Sequence, residues 1–264
     1  MNKMESKIAR YNNLVQRIKN DTKVLQETNS MNENYLTACD SCDEVNLWTY
    51  WQGGKQCLDA NILLVGQDWG PLHTKEADAI LTEIQNVKDH AAENCTYYVK
   101  GVSKTDDNLV ELFKSIGYHI DTKKYKQLFF TNYIVGYRNK GLTGSMQPNW
   151  TKKCDTYFQE LLDIIQPKVI LCLGRKVFDW VLKDLNEEKV KGPYNKVVEA
   201  SNKNPVKVML GDQTCFVFPL AHCGALGTNN RNKGKEKKED KLFWQKQDWK
   251  LMADLAGIKL EDDI

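Results

Sequence analysis

Leu63-Leu64-Val65-Gly66-Gln67-Asp68-Trp69-Gly70-Pro71 is the stretch on which the fold turns. Apolar residues run from Ile62 to Val65 and stop at a glycine. An amide, a carboxylate, an indole, a second glycine and a proline follow. That order predicts a buried strand emptying into a tight turn, with polar atoms held at the strand's C-terminal end. In open α/β sheets, ligands bind outside that end. An ordinary strand exit with an Asp capping the next element has the same local signature, so the rest of the chain has to decide.

Outward from it, three more strands are predicted. They are Gln127–Val135, interrupted by Asn132; Val169–Leu173, ending at Gly174; and Cys215–Leu220, leaving through Ala221-His222. Helical spacing falls between them, over residues 105–116 with Asp106 or Asp107 as cap, 152–165, 175–185 and 241–256. An N-terminal helix over 3–27 carries Ile8, Leu14, Val15, Ile18 and Leu25 on one face. Fully apolar strands alternating with helices predict an α/β fold: a single domain with a central four-stranded, mainly parallel sheet flanked by helices. Residues 1–57 read as the N-terminal helix and a Cys- and aromatic-rich segment packed on the core, and 58–264 as the α/β domain. The long polar insertion 72–104, part helix over 77–91, reads as a lid or substrate-shaping segment. Three strand exits carry Gln67-Asp68, Asn132 and His222, and a parallel sheet collects such ends on one edge.

Composition narrows the function class. The 264 residues are 41% hydrophobic and 27% charged, which is ordinary globular usage. The net charge of +2 gives no global basic signature, so nucleic acid would be met by local clusters. No apolar run approaches a membrane span, and Met1–Asn20 is polar and mixed in charge, unlike a secretory signal. A cytoplasmic monomer without a membrane partner is expected. The eight cysteines then read as reduced thiols, with Cys172 and Cys215 inside strands.

Gly66-Gln67-Asp68-Trp69-Gly70 resembles the first motif of the uracil-DNA glycosylase superfamily. Asn132, with Arg138 six residues on, resembles its Asn-bearing strand. Val169–Gly174 followed by Arg175–Phe178 resembles its strand–helix junction. His222-Cys223-Gly224-Ala225-Leu226-Gly227 resembles its second motif, a His followed four residues later by an inserting Leu. The order matches over about residues 58 to 230. The resemblance implies a monofunctional DNA glycosylase that needs no cofactor for catalysis. Asp68 and His222 would be catalytic. Gln67, Gly70, Asn132 and Tyr98 would surround the base, Tyr98 by a looser likeness of Tyr98-Val99 to a Phe-Val pair. Leu226 would fill the space a flipped base leaves. Each residue also has a plain structural role open to it: cap, edge histidine, loop brace or packed aromatic.

The departures from the family pattern suggest a wider pocket. Gly70 stands where the uracil-specific branch has a tyrosine, Trp69 replaces a proline, and Cys223-Gly224 replaces Pro-Ser. They point to a 5-substituted pyrimidine, such as hydroxymethylated or glucosylated cytosine of viral DNA, and so to antiviral defence. Ordinary uracil excision, excision of deaminated purines and a catalytically silent binding module on the same fold are the competing readings. Cys39, Cys42 and Cys154 resemble three of four ligands of an iron–sulfur or zinc site in one branch, with Tyr137 at the fourth position and Cys57 as a substitute. Arg138, Arg231, Lys233 and Lys235 are the expected phosphate contacts, although a basic run is as often a solvated loop.

Overall fold

Three short runs are buried along their whole length, and that burial sets the architecture. The computed structural model describes residues 3–28, 36–37, 43–70, 82, 85–90, 98–138 and 148–258. Its contacts group into two compact units, Met1–Tyr97 with Lys124–Pro167, and Tyr98–Lys123 with Lys168–Ile264. The fold is α/β. No helix among the described residues is long and apolar enough to cross a membrane.

The first unit contains α1 (Lys3–Thr28), β1 (Leu36–Thr37), α2 (Leu47–Trp51), β2 (Ile62–Gly66), β3 (Leu128–Asn132), β4 (Tyr137–Arg138) and a long helix, Pro148–Ile165. Every residue of β2 and β3 is buried, and the two pair in parallel from Ile62↔Leu128 to Gly66↔Asn132. Burial on both faces is the signature of a parallel strand covered on each side. The free side of β3 is occupied by chain rather than solvent. Phe130 N–H donates to the Gln52 carbonyl at 2.7 Å, and Thr49 Oγ1 donates to the Phe130 carbonyl at 2.8 Å. Asn46 caps α2 by accepting from Trp48 N–H at 3.0 Å and donates to Thr131 Oγ1 at 2.8 Å, tying that cover to the strand. Tyr11 of α1 meets Phe129 edge-on with ring centroids 6.1 Å apart, so the N-terminal helix packs against β3.

The second unit begins with α3 (Lys104–Lys114). Its cap is Ser103, whose Oγ accepts from Asp106 N–H at 3.2 Å, rather than either aspartate. After it come β5 (Val169–Leu173), α5 (Arg175–Asp184), α6 (Tyr194–Ser201), β6 (Val206–Leu210), β7 (Gln213–Leu220), α7 (Ala225–Asn232) and α8 (Phe243–Ala256); the long helix of the first unit is α4. β5 and β7 run parallel, Val169↔Phe216 to Leu173↔Leu220. β6 is a fifth principal strand that the four-strand expectation lacks. It pairs antiparallel with β7 through a two-residue Gly211-Asp212 turn, with Gly211 at φ +60°. Pro219 is tolerated inside β7 because β6 pairs only with Gln213–Val217. Phe216 N–H and the Leu220 carbonyl bond toward β5, so residue 219 faces away from it and no ladder donor is lost there.

Candidate active site

In the first unit the two strand exits lie side by side, because Gly66 is the register partner of Asn132. Pairing continues past the strand ends. Tyr133 N–H donates to the Gly66 carbonyl and Ile134 N–H to the Gln67 carbonyl, both at 2.9 Å. The turn bearing the carboxylate is therefore fastened to the sheet. A Cβ on Gly66 would lie 2.3 Å from Asn132 Oδ1 and 2.7 Å from Trp48 Cζ3. The glycine is required because the amide and the indole fill that space. Gln67 Nε2 donates to Asp68 Oδ2 at 2.7 Å, and Gln67, Asp68 and Trp69 are all partly exposed.

Asn132 is 3% exposed, and its Nδ2 has no hydrogen-bond partner. A buried donor left unmatched costs about 1–3 kcal/mol. The void in this unit that Asn132 helps to line, with Leu14, Ile18, Tyr157 and Leu161, measures about 10 Å³. That is room for one water, not for a base. Gly70 has φ +83°, a backbone conformation that side chains disfavour. The turn itself demands this glycine, so the missing tyrosine is explained without reference to a substrate.

In the second unit, β7 empties into Ala221-His222 and the chain folds back at once. Gly224 N–H donates to His222 Nδ1 at 2.9 Å. A backbone amide only donates, so Nδ1 is the acceptor and the neutral ring carries its proton on Nε2. Such a ring is a hydrogen-bond donor for a developing oxyanion. Room for the fold-back comes from a second glycine: a Cβ on Gly227 would lie 2.1 Å from the His222 carbonyl oxygen. Leu226 stands in the first turn of α7 and is 75% exposed.

The start of α3 abuts this turn. Asn108 Nδ2 donates to the Cys223 carbonyl at 2.6 Å, and Thr105 Oγ1 would lie 3.1 Å from a Cβ on Gly224. Tyr98, just upstream, donates its hydroxyl to Asp107 Oδ1 at 2.8 Å, and Gly101 N–H donates to the same oxygen at 2.9 Å. Burial and the Asp107 bond push the phenol above its usual range. His222, Leu226 and the Tyr98 segment are thus neighbours within this unit. Asp68 and Asn132 belong to the other.

The expected basic contacts divide. Arg231 corrects the sequence reading: its side chain is 2% exposed, with Nε 2.6 Å from Asp248 Oδ2, Nη2 2.8 Å from Asp248 Oδ1 and Nη1 3.2 Å from Glu199 Oε1. A cation buried on two carboxylates is an internal tie, not a phosphate contact. Lys235 bonds Glu199 at 2.8 Å and lies 4.7 Å over the Trp244 ring, whereas Lys233 is exposed. Arg138 lies on β4 opposite Leu36.

Cys39 and Cys42 lie outside the described residues, as do most of 72–97. Cys154 is buried on α4, and burial pushes its thiol up to about 12. Cys57 is buried and points its thiol at the Tyr125 carbonyl, 3.7 Å away. Among the described residues no three His, Cys, Asp or Glu side chains could together hold a metal ion. The described donors alone do not make up the ligand set of a cluster or a zinc.

Three supporting residues carry no motif of their own. Trp48 was visible only as part of an aromatic run, Asp107 only as a cap candidate, and Gln245 of α8, which donates to the Ala221 and His222 carbonyls, gave no signal.

No curated protein was found to match this chain. A family model described as the uracil DNA glycosylase superfamily matches residues 55–246, which takes in both strand exits, Asn132, Tyr98 and the Leu226 turn. The chain belongs to the uracil DNA glycosylase superfamily.

Proposed function

We propose that the protein is a monofunctional DNA glycosylase that hydrolyses the N-glycosidic bond of an everted base and leaves an abasic site. The observation that carries this reading is the paired strand exit of the first unit: a partly exposed carboxylate, Asp68, beside an amide, Asn132, that is buried with an unspent donor. In the reaction the C1′–N bond breaks and its electron pair leaves with the base. The sugar becomes oxocarbenium-like, and water adds its oxygen to C1′. Asp68 stabilises the sugar cation and takes up the proton that water loses. His222 donates its Nε2 proton as a hydrogen bond to the charge gathering on the base oxygen. Leu226 occupies the gap in the stack, Tyr98 stacks on the base, and Lys233 with Arg138 meets phosphate. No lysine stands in the catalytic motifs, so no Schiff-base step follows.

Base identity rests on chemistry that is compatible with more than one pyrimidine. An Asn amide offers a donor and an acceptor and, by turning over, serves either a uracil or a cytosine edge. Glycine at position 70, which the turn's backbone requires, also adds no side chain of its own to press on a C5 substituent. The preferred substrate is therefore a 5-substituted pyrimidine, hydroxymethylated or glucosylated cytosine being the examples found in viral DNA, and the role is then defence. The test is a panel of duplexes carrying uracil, cytosine, 5-hydroxymethylcytosine or its glucoside, assayed for alkali-labile abasic sites. Release of modified cytosine supports the proposal. Release of uracil alone makes this an ordinary repair enzyme. Binding without release from any duplex makes it a silent module, the alternative favoured by the altered Cys223-Gly224 pair.

A further inference from the structure

We infer that Gln245 is a positioning residue for His222: its amide extends the β7 ladder past its end and so sets the direction of the imidazole. The last carbonyl of β7 held by the sheet is that of Leu220, which accepts from Gly174 N–H at 2.8 Å and from Tyr194 O–H at 3.0 Å. Among the described residues the next two carbonyls have no strand beside them. Gln245, 1% exposed, supplies both missing donors from one nitrogen, at 3.1 Å to Ala221 and 3.2 Å to His222.

The other end of the same amide has no partner. Gln245 Oε1 is buried and unbonded. A methionine or leucine would fill this volume without stranding an acceptor. What the glutamine offers beyond them is its two N–H groups, both spent on the residue pair that carries the imidazole.

Helix α8 does this twice. Its buried face presents Gln245 and, three residues on, Asp248, which grips Arg231 in the last turn of α7. The segment from Ala221 to Arg231, with His222 and Leu226 inside it, is held near both ends by one helix. The backbone at His222 is crowded as well, since its carbonyl oxygen would meet a Cβ on Gly227 at 2.1 Å. With Gly224 N–H on Nδ1, backbone and ring are each fixed by a separate bond.

The role rests on reading His222 as the donor to the departing base, and the experiment separates the two ideas. Gln245→Met, made in the full chain, removes both donors, and Gln245→Glu, held protonated by burial against two carbonyls, leaves one donor where two are needed; both keep the side-chain length. Imidazole ¹⁵N spectra of the free protein report the tautomer of His222 without any substrate. Expected is a single Nε2-protonated ring in the parent chain and mixed or exchange-broadened signals in both variants. On whichever duplex the parent cleaves, single-turnover release falls about ten- to a hundredfold with DNA affinity held, as a small misplacement of a reacting group requires. Folded variants with parental ¹⁵N signals and parental release overturn the inference. Should Gln245→Met fail to fold, the isosteric Gln245→Glu carries the same test. If the parent releases no base while the variants still disturb the imidazole, the positioning role stands and the glycosylase reading falls.

Discussion

The two units carry their halves of the proposed residue set on opposite plans. Asp68 and Asn132 ride on the ends of paired strands, and the ladder that pairs them continues through Gly66 and Gln67. His222 and Leu226 ride on a turn beyond the last held carbonyl of β7, and side chains of a distant helix hold that turn. A sheet fixes backbone with its own atoms and tolerates changes in the side chains around it. A turn held by side chains depends on each one. Substitutions far from the second half should therefore reach it, while the first half should yield mainly to changes within it.

The largest effect is expected at the first half's charge. Asp68→Asn leaves an oxygen to accept the Gln67 bond but removes the negative charge, and base release should fall at least about a hundredfold with DNA binding retained. Single-turnover release and a filter-binding titration measure the two quantities. Equal loss of both would mean that the carboxylate holds the turn rather than the chemistry.

Next is the second half's tether. Arg231→Met leaves Asp248 buried without its cation, and urea unfolding should show a loss of about 3–5 kcal/mol. The salt dependence of DNA binding should not change, because a buried arginine releases no counterion from phosphate. A shallower salt slope in this variant would return Arg231 to the DNA face.

Gly66→Ala sharpens the contrast from the ladder side. A methyl there meets Asn132 Oδ1 at 2.3 Å and Trp48 at 2.7 Å, so overpacking should cost about 1–3 kcal/mol in the same unfolding assay. The displaced amide should lower base affinity more than it lowers the rate of the chemical step.

The smallest effect is one of pH, and the two units lean opposite ways. Burial raises the Glu44 carboxyl from 4.5 to about 7; the Asp43 charge adds to the rise and the Tyr11 hydroxyl opposes it. The folded chain favours protonated Glu44, so its contribution to stability is complete below 4.5 and is lost as pH climbs through about 7. Hydrogen bonds from Lys235 and Lys196 hold Glu199 down at about 2, so its contribution is present above 4.5 and is lost as pH falls through about 2. Urea midpoints should fall from mildly acid to mildly alkaline conditions, and Glu44→Gln should flatten that fall.

What was legible in the sequence follows the same division. Strands buried on both faces leave continuous apolar runs, so Val169–Leu173 was bounded correctly and Leu128–Asn132 was found within a longer run. The edge strand Val206–Leu210 escaped notice because Lys207 and Met209 face solvent and break the apolar run. Its Gly211-Asp212 turn was the available clue. Asp68, Asn132 and His222 stood out because each follows an apolar run. Arg231 was misread because a charge run says nothing about what its members face. Its partners Glu199 and Asp248 lie 32 and 17 residues away, and neither belongs to a recognisable motif. Gln245 is 23 residues from His222 on a helix whose pattern reports burial alone.

A leucine left three-quarters in water carries an energetic limit. Moving Leu226 out of solvent is worth about 1.5–3 kcal/mol, while parting a nucleotide from its neighbours costs a few kcal/mol. The side chain can prop open a breach that already exists but has too little free energy to force one in a sound duplex. On the glycosylase reading, turnover should favour mismatched, frayed or single-stranded targets, and the helical context of a lesion would matter alongside its chemistry.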